Sequence, residues 1–304
     1  MEQMLKSRFG ARVRIYEVDC TPSKVQRPHQ EVPYLDDALR ISRKVQALSQ
    51  KFLNEGAFVI VLGGEQTADV GLVAGAAASD VHGGAERRLS VTYLDGHLDC
   101  HTYKTSRTKH VHGETLASHV GYGQKDLVEF HGTGRPRARP EDVLLIGSNP
   151  HNLEFFIAER VDFKNPADVA ASRVVHDLEI ENAQKWGIRT VPSDEFKQNG
   201  KSGTAWQSHV REYLGPMLQR TNGHLVLCDL DHLHESEAPG VAIRNPDGMT
   251  LAQSLQIARD IADASQPGQL MGVAVVECDP QKDIDNKTAK AATRFVEELM
   301  RNMK

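Results

Sequence analysis

A chain of 304 residues is long enough to bury a sizeable core as one large α/β domain. Its 36 Lys and Arg against 41 Asp and Glu leave a formal net charge of -5, which gives no electrostatic reason to expect nucleic acid or an anionic membrane as partner. Four cysteines, Cys20, Cys100, Cys228 and Cys278, show neither CxxC spacing nor a dense framework, so reduced thiols are expected and a cysteine zinc site is not.

The first 19 residues mix charge with apolar side chains and have no continuous hydrophobic segment of the secretory type. Residues 13–18 read as a first strand. Leu35–Asn54 carries Leu39, Ile41, Val45, Leu48, Phe52 and Leu53 at helical spacing and reads as an amphipathic helix. Residues 58–62 are a strand that ends in Gly63-Gly64, and the Ala-rich residues 67–79 are a helix. Leu89–Leu94 and Val143–Ile146 are strands. Later come a strand at 224–230, a helix at Leu251–Ala264, a strand at 271–276 and a helix at 288–300. Strands alternating with helices predict βαβ units and a parallel sheet, covered on both faces because the strands are near-continuous Val, Ile and Leu. The longest apolar runs are too short to span a bilayer, so a cytoplasmic protein is expected. No break divides residues 1–304, and a single domain is expected.

Two polar, Gly- and Pro-bearing stretches, 101–142 and 231–249, directly follow strands, where the loops of parallel α/β sheets build active sites. The carboxylates cluster there. Asp95-Gly96-His97-Leu98-Asp99 follows Leu89–Leu94, Asp229-Leu230-Asp231 closes a second strand, and Glu277 follows a third. Alternation along an extended chain puts Asp95, His97 and Asp99 on one side, and Asp229 and Asp231 likewise. Two such charges ~4 Å apart repel by roughly 4 kcal/mol at an effective dielectric near 20. Neither motif contains a Lys or Arg, so a divalent cation is the expected counter-charge. Oxygen ligands with one or two imidazoles suit manganese better than zinc.

These motifs, in this order, resemble the arginase family of ureohydrolases. Residues 61–66 (VLGGEQ) resemble its strand and glycine turn, 93–99 (YLDGHLD) its Asp-Ala-His-x-Asp, His112-Gly113 its His-Gly, 228–231 (CDLD) its Asp-x-Asp and 272–280 (GVAVVECDP) its Glu-Val-Asn-Pro segment. The resemblance implies a three-layer α/β/α fold around an eight-stranded parallel sheet, and trimers or hexamers. It implies a guanidino or amidino substrate and two manganese ions that activate a shared water. By position Asp95 and Asp229 would bridge the ions, Asp99 would complete the first, and His97 with Asp231 the second. Glu277 would orient the cationic head of the substrate and His112 would carry a proton to the leaving amine.

Some positions depart from the family. Gln66 stands where the family has a histidine ligand of the first metal, so that ion should bind poorly or be lost, while the second site keeps its complement. The substrate loop has His101, Thr108 and His110 at positions where arginases carry Asn, Ser and Asn, and the acidic residue that reads an α-amino group falls near Asn152. Residues 238–241 (APGV) resemble formimidoylglutamases, and Arg244 just beyond offers a carboxylate partner. A hydrolase of guanidino or amidino C–N bonds, acting on arginine or formimidoylglutamate type substrates, is therefore the expected activity. The alternative is a degenerate relative with weakened metal binding that serves in binding or assembly.

Overall fold

Short runs rich in Val, Ile and Leu make the central strands of a parallel sheet, which has six strands among the described residues, because both faces are covered there and no polar alternation is needed. The structure is a computed structural model that describes residues 1–23, 32, 34–81, 88–130, 136–150, 152, 162–197 and 205–303. The strands are β1 (Val59–Leu62), β2 (Leu89–Leu94), β3 (Val143–Ile146), β4 (Arg189–Val191), β5 (Gly223–Asp229) and β6 (Leu270–Val276), in the order β1-β6-β5-β2-β3-β4. The helices that frame them are α1 (Glu2–Phe9), α2 (Leu35–Asn54), α3 (Ala68–Ala78), α4 (Thr115–His119), α5 (Pro166–Trp186), α6 (Ala205–Gln219), α7 (Leu251–Ala264) and α8 (Lys287–Leu299).

Alternation along the strands divides the core in two. Leu94, Val226, Cys228, Val273 and Val275 face α6, α7 and α8, packing with Leu214, Ile257 and Phe295. Val91, Tyr93, Leu225, Leu227 and Ala274 face the other way, against Leu53 of α2, Leu72 and Val73 of α3 and Ala183 of α5. This is the three-layer α/β/α arrangement expected. The small residues of α3 let it lie close on α2. A Cβ at Gly71 would sit 2.5 Å from Val45 Cβ and one at Gly75 2.6 Å from Ser49 Cβ. Helix α7 begins in a capping box in which Thr250 accepts from Gln253 N and the Gln253 side chain accepts from Thr250 N.

Two expectations change. The sheet has six strands among the described residues, not eight. Residues 13–18 are not a strand: they pair with no strand among the described residues, and Arg14 is bonded to Glu55 and Tyr16 lies against Phe52 of α2. β-branched residues favour extension, but only a neighbouring strand supplies the ladder.

The topology positions the site. Strand β2 leads outward to β3 and β4, while β5 and β6 return to fill the space between β2 and β1. The carboxyl ends of β1, β6, β5 and β2 are therefore adjacent, and the chain reverses direction across the sheet at that point. Crevices at such a switch are where open parallel sheets bind ligands.

Candidate functional site

Asp95 follows β2 and Asp229 ends β5, the neighbouring strand, in register with Leu94 opposite Cys228. Asp95 is fully buried, and Asp229 and Asp231 are nearly so. His97 Nδ1 lies 2.9 Å from Asp231 Oδ2 and 3.6 Å from Asp95 Oδ1. One ligand atom from each of Asp95, His97 and Asp231 falls within 4.8 Å of the others, the separation expected around one divalent ion. Backbone donors fix the carboxylates: Gly96 N donates to Asp231 Oδ1 at 2.9 Å, His97 N to Asp95 Oδ1 at 2.6 Å and Asp231 N to Asp229 Oδ1 at 2.8 Å.

The charges are unbalanced. Burial, then the charge of Asp231, raises Asp95 above the usual carboxylate range, and burial followed by Asp231, Asp95 and Glu277 raises Asp229 well above it. Glu277, beyond the end of β6, is pushed up to about 8 by burial and then by Asp231, Glu65 and Asp95. Burial would also raise Asp231, but the charge and hydrogen bond of His97 outweigh it and lower it. Burial alone would lower the His97 imidazole, yet Asp231 and Asp95 raise it well above its usual range. Four carboxylates with one imidazole beside them make a donor set that a cation would complete. Asp99 and Glu277 both hold left-handed backbones, at φ 50° and 61°, which non-glycine residues adopt at a cost and which here re-aim side chains into the site.

The first-metal position does not fit an ion. Gln66 Nε2 donates to Asp95 Oδ2 at 2.7 Å and to the Tyr93 hydroxyl at 2.5 Å. Asp99 Oδ2 accepts from Thr115 Oγ1 at 3.0 Å and lies 3.2 Å from the Tyr93 hydroxyl. Glu65 turns back instead, and its carboxylate accepts from Thr67 N at 3.1 Å.

Glu277, Asp99, His101, Thr108, His110 and His112 line one cleft beside these groups. The His110 and His112 rings are 5.6 Å apart. His101 Nε2 is 3.3 Å from Glu179 Oε2, and burial followed by the neighbouring imidazoles lowers it to about 3, so it is neutral. Asn152 and Arg244 do not line the cleft. Asn152 Nδ2 donates to Asp247 at 2.8 Å, and its neighbour at position 151 lies outside the described residues. Arg244 is exposed. The APGV segment is a packing element: Gly240 N donates to Thr288 Oγ1 at 2.8 Å, and a Cβ there would meet Asp283 Cβ at 2.7 Å.

Six buried side chains near the site escape the sequence reading. Glu179 and His176 come from α5, and Cys100 N donates to Glu179 Oε1 at 3.0 Å. Tyr93 reads as strand core, but its hydroxyl reaches Asp69 Oδ2 at 3.2 Å and Thr115 Oγ1 at 2.6 Å. Asp69 in turn lies 3.2 Å from His119 Nε2, and Arg137 Nη1 is 3.0 Å from His119 Nδ1. The α5 face that carries Glu179 was detectable from its ends, since Asn165-Pro166 opens a helix and Gly187 closes it.

Comparison with known proteins agrees with this geometry. The family model described as the arginase family matches residues 10–301. Among curated proteins, the arginase of Bacillus caldovelox is 27% identical over 287 residues, covering 92% of this chain and 82% of its own length. The arginase of Bacillus subtilis (strain 168) is 27% identical over 271 residues, covering 89% and 78%. Among solved structures, the Bacillus caldovelox arginase superposes with a TM-score of 0.73 at 26% identity, covering 94% of this chain and 84% of that one. Formimidoylglutamase from Bacillus subtilis shares the fold, with a TM-score of 0.63 at 18% identity over 88% of this chain and 67% of its own.

Proposed function

The chain belongs to the arginase family, and on that premise we propose that it is a metal-dependent hydrolase of guanidino or amidino C–N bonds. One observation carries the reading: buried Asp95 and Asp231 converge with half-buried His97 among carboxylates that repel one another. These three residues would hold a manganese ion, with Asp229 beside them. Such an ion supplies Lewis acidity, which makes a water molecule nucleophilic near neutral pH.

The chain's own groups account for the rest. Glu277, facing the same cleft, pairs with the substrate's cationic head and holds its planar carbon toward the centre. His112 delivers the proton that the departing amine needs. Asp99 stays off the cation, since its Oδ2 is held by Thr115 and Tyr93 and burial, followed by the charge of Asp95, holds its carboxyl well above the usual range. His101, Thr108 and His110 read the remainder of the substrate, and neutral His101 beside Glu179 would accept different partners from the amides and hydroxyl that arginases place there. A homotrimer or hexamer of single-domain chains in the cytoplasm belongs to the same reading.

The test is release of urea, formamide or ammonia by the purified chain with added manganese, across arginine, agmatine, guanidinobutyrate and formimidoylglutamate. Turnover that falls at least a hundredfold in Glu277→Gln is expected. No turnover on any of the four, with the ion shown to be bound, would overturn the proposal in favour of a binding or assembly role.

A further inference from the structure

We infer that Tyr93, with Gln66 and Thr115, closes the space between Asp95 and Asp99 with protein hydrogen-bond donors, so that the centre holds one cation and Tyr93 sets that number. The inference rests on the metal reading above and goes beyond it. Loss of the histidine at position 66 explains a weaker ligand set, but a glutamine oxygen still ligates when the ion's other ligands are free. Here they are not free.

The geometry is specific. Asp95 divides its two oxygens. Its Oδ1 faces His97, whose backbone N lies 2.6 Å away and whose Nδ1 lies 3.6 Å away. Its Oδ2 accepts from Gln66 Nε2 at 2.7 Å. A carboxylate that bridges two ions through separate oxygens needs both of them. Gln66 presents its amide nitrogen, a donor without a lone pair to offer, on the side where a metal would need an acceptor. That orientation is held by the Tyr93 oxygen, which accepts the second amide proton at 2.5 Å.

The Tyr93 oxygen is itself surrounded by Gln66 Nε2, Asp69 Oδ2, Asp99 Oδ2 and Thr115 Oγ1, between 2.5 and 3.2 Å away. Thr115 Oγ1 donates in turn to Asp99 Oδ2 at 3.0 Å. Every member is buried, at most 4% exposed. The N–H and O–H dipoles thus do for Asp95 and Asp99 what a second ion would otherwise do, and a buried hydrogen-bond network resists rearrangement. Replacing Gln66 alone leaves the phenol oxygen in place. Removing that oxygen as well frees the space and leaves Asp99 Oδ2 held by Thr115 alone.

The experiment measures manganese per chain after dialysis, by elemental analysis, and reads the electron paramagnetic resonance signal for an isolated ion or an exchange-coupled pair. The wild type and Gln66→His are each expected to hold one isolated ion. The double variant Gln66→His, Tyr93→Phe is expected to take up two and show the coupled signal. Two ions in the wild type or in Gln66→His, or one in a folded double variant, would overturn the inference while leaving the metal reading intact. No ion in any of the three proteins would instead defeat the metal reading itself. Should the double variant not fold, the first two proteins still decide: one ion in both supports the inference, two in either ends it.

Discussion

His97 Nδ1 lies 2.9 Å from Asp231 Oδ2, and this contact joins the loop after β2 to the end of β5 across the centre of the sheet. An imidazole and a carboxylate from residues 134 positions apart meet there only because β2 and β5 are neighbours. His97→Ala should therefore lower manganese affinity by more than the roughly 10–100-fold that losing an outer partner of a metal site costs. Calorimetric titration checks it, and an affinity within threefold of the wild type would remove His97 from the centre.

On the proposed metal reading, manganese would displace protons from this site. Asp95 and Asp229 are raised by burial and by neighbouring carboxylates, so their protonated forms persist to higher pH than usual, and His97 is raised as well. Ligation needs the carboxylates ionised and the imidazole neutral. Affinity should therefore rise with pH, by about tenfold per unit for each proton released. Dissociation constants measured from about pH 6 to about pH 8 test this, and a flat profile would show that no proton is displaced.

Behind the site, burial raises Asp69 to about 8. The unfolded chain would titrate this group near ~3.9. The folded state therefore binds the proton more tightly, and the contribution to stability is greatest below about pH 4, declines through the window up to about 8, and is constant above it. His119 is lowered well below its usual range by burial and then Arg137, and its contribution runs the other way, rising toward about pH 6.5. Asparagine stands in for the neutral carboxyl beside His119, so comparing wild type with Asp69→Asn reads mainly the Asp69 proton. The stability difference should shift in favour of the asparagine variant as pH climbs from about 5 to about 8, as read by urea denaturation. A difference independent of pH would show that Asp69 is ionised throughout.

Helix α3 lies against α2 at Gly71, where a Cβ would be 2.5 Å from Val45 Cβ and 2.7 Å from the Ser42 carbonyl oxygen. Helix propensity favours alanine over glycine by about 1 kcal/mol. Overpacking opposes it with about 1–3 kcal/mol, and backbone atoms yield less than side-chain tips. Gly71→Ala is expected to lower the urea midpoint. A raised midpoint would mean that the helices separate freely.

Arg244 is exposed and stands outside the cleft. Arg244→Ala should leave kcat/KM within about twofold on any substrate that the chain turns over, since an uninvolved surface position changes little. A large rise in KM confined to carboxylate-bearing substrates would bring Arg244 back into recognition.

The expected elements succeeded where burial and periodicity coincide. Leu39, Val45 and Leu53 of α2 are buried at the helical spacing that predicted them, and β2, β5 and β6 are buried along their whole length. Helix α5 failed that test for a physical reason. Its buried face is Ser172, His176, Glu179 and Ala183, a helical stripe without strong hydrophobes, so no apolar rhythm announced it. Strand β4 is three residues long and begins at an exposed Arg189. Residues 13–18 carried the composition of a strand without a partner to make them one.

The sequence alone offered the candidate donors, since Asp95, Asp229 and Glu277 each end or directly follow an apolar strand and His97 and Asp231 come two residues after Asp95 and Asp229. The tertiary structure decided the partners. Strand order, set by packing between distant segments, put β5 beside β2 and turned Tyr93 toward Asp69, Gln66, Asp99 and Thr115. A side chain's position along the chain fixes which groups it can offer, but which groups it meets depends on contacts that no local pattern encodes.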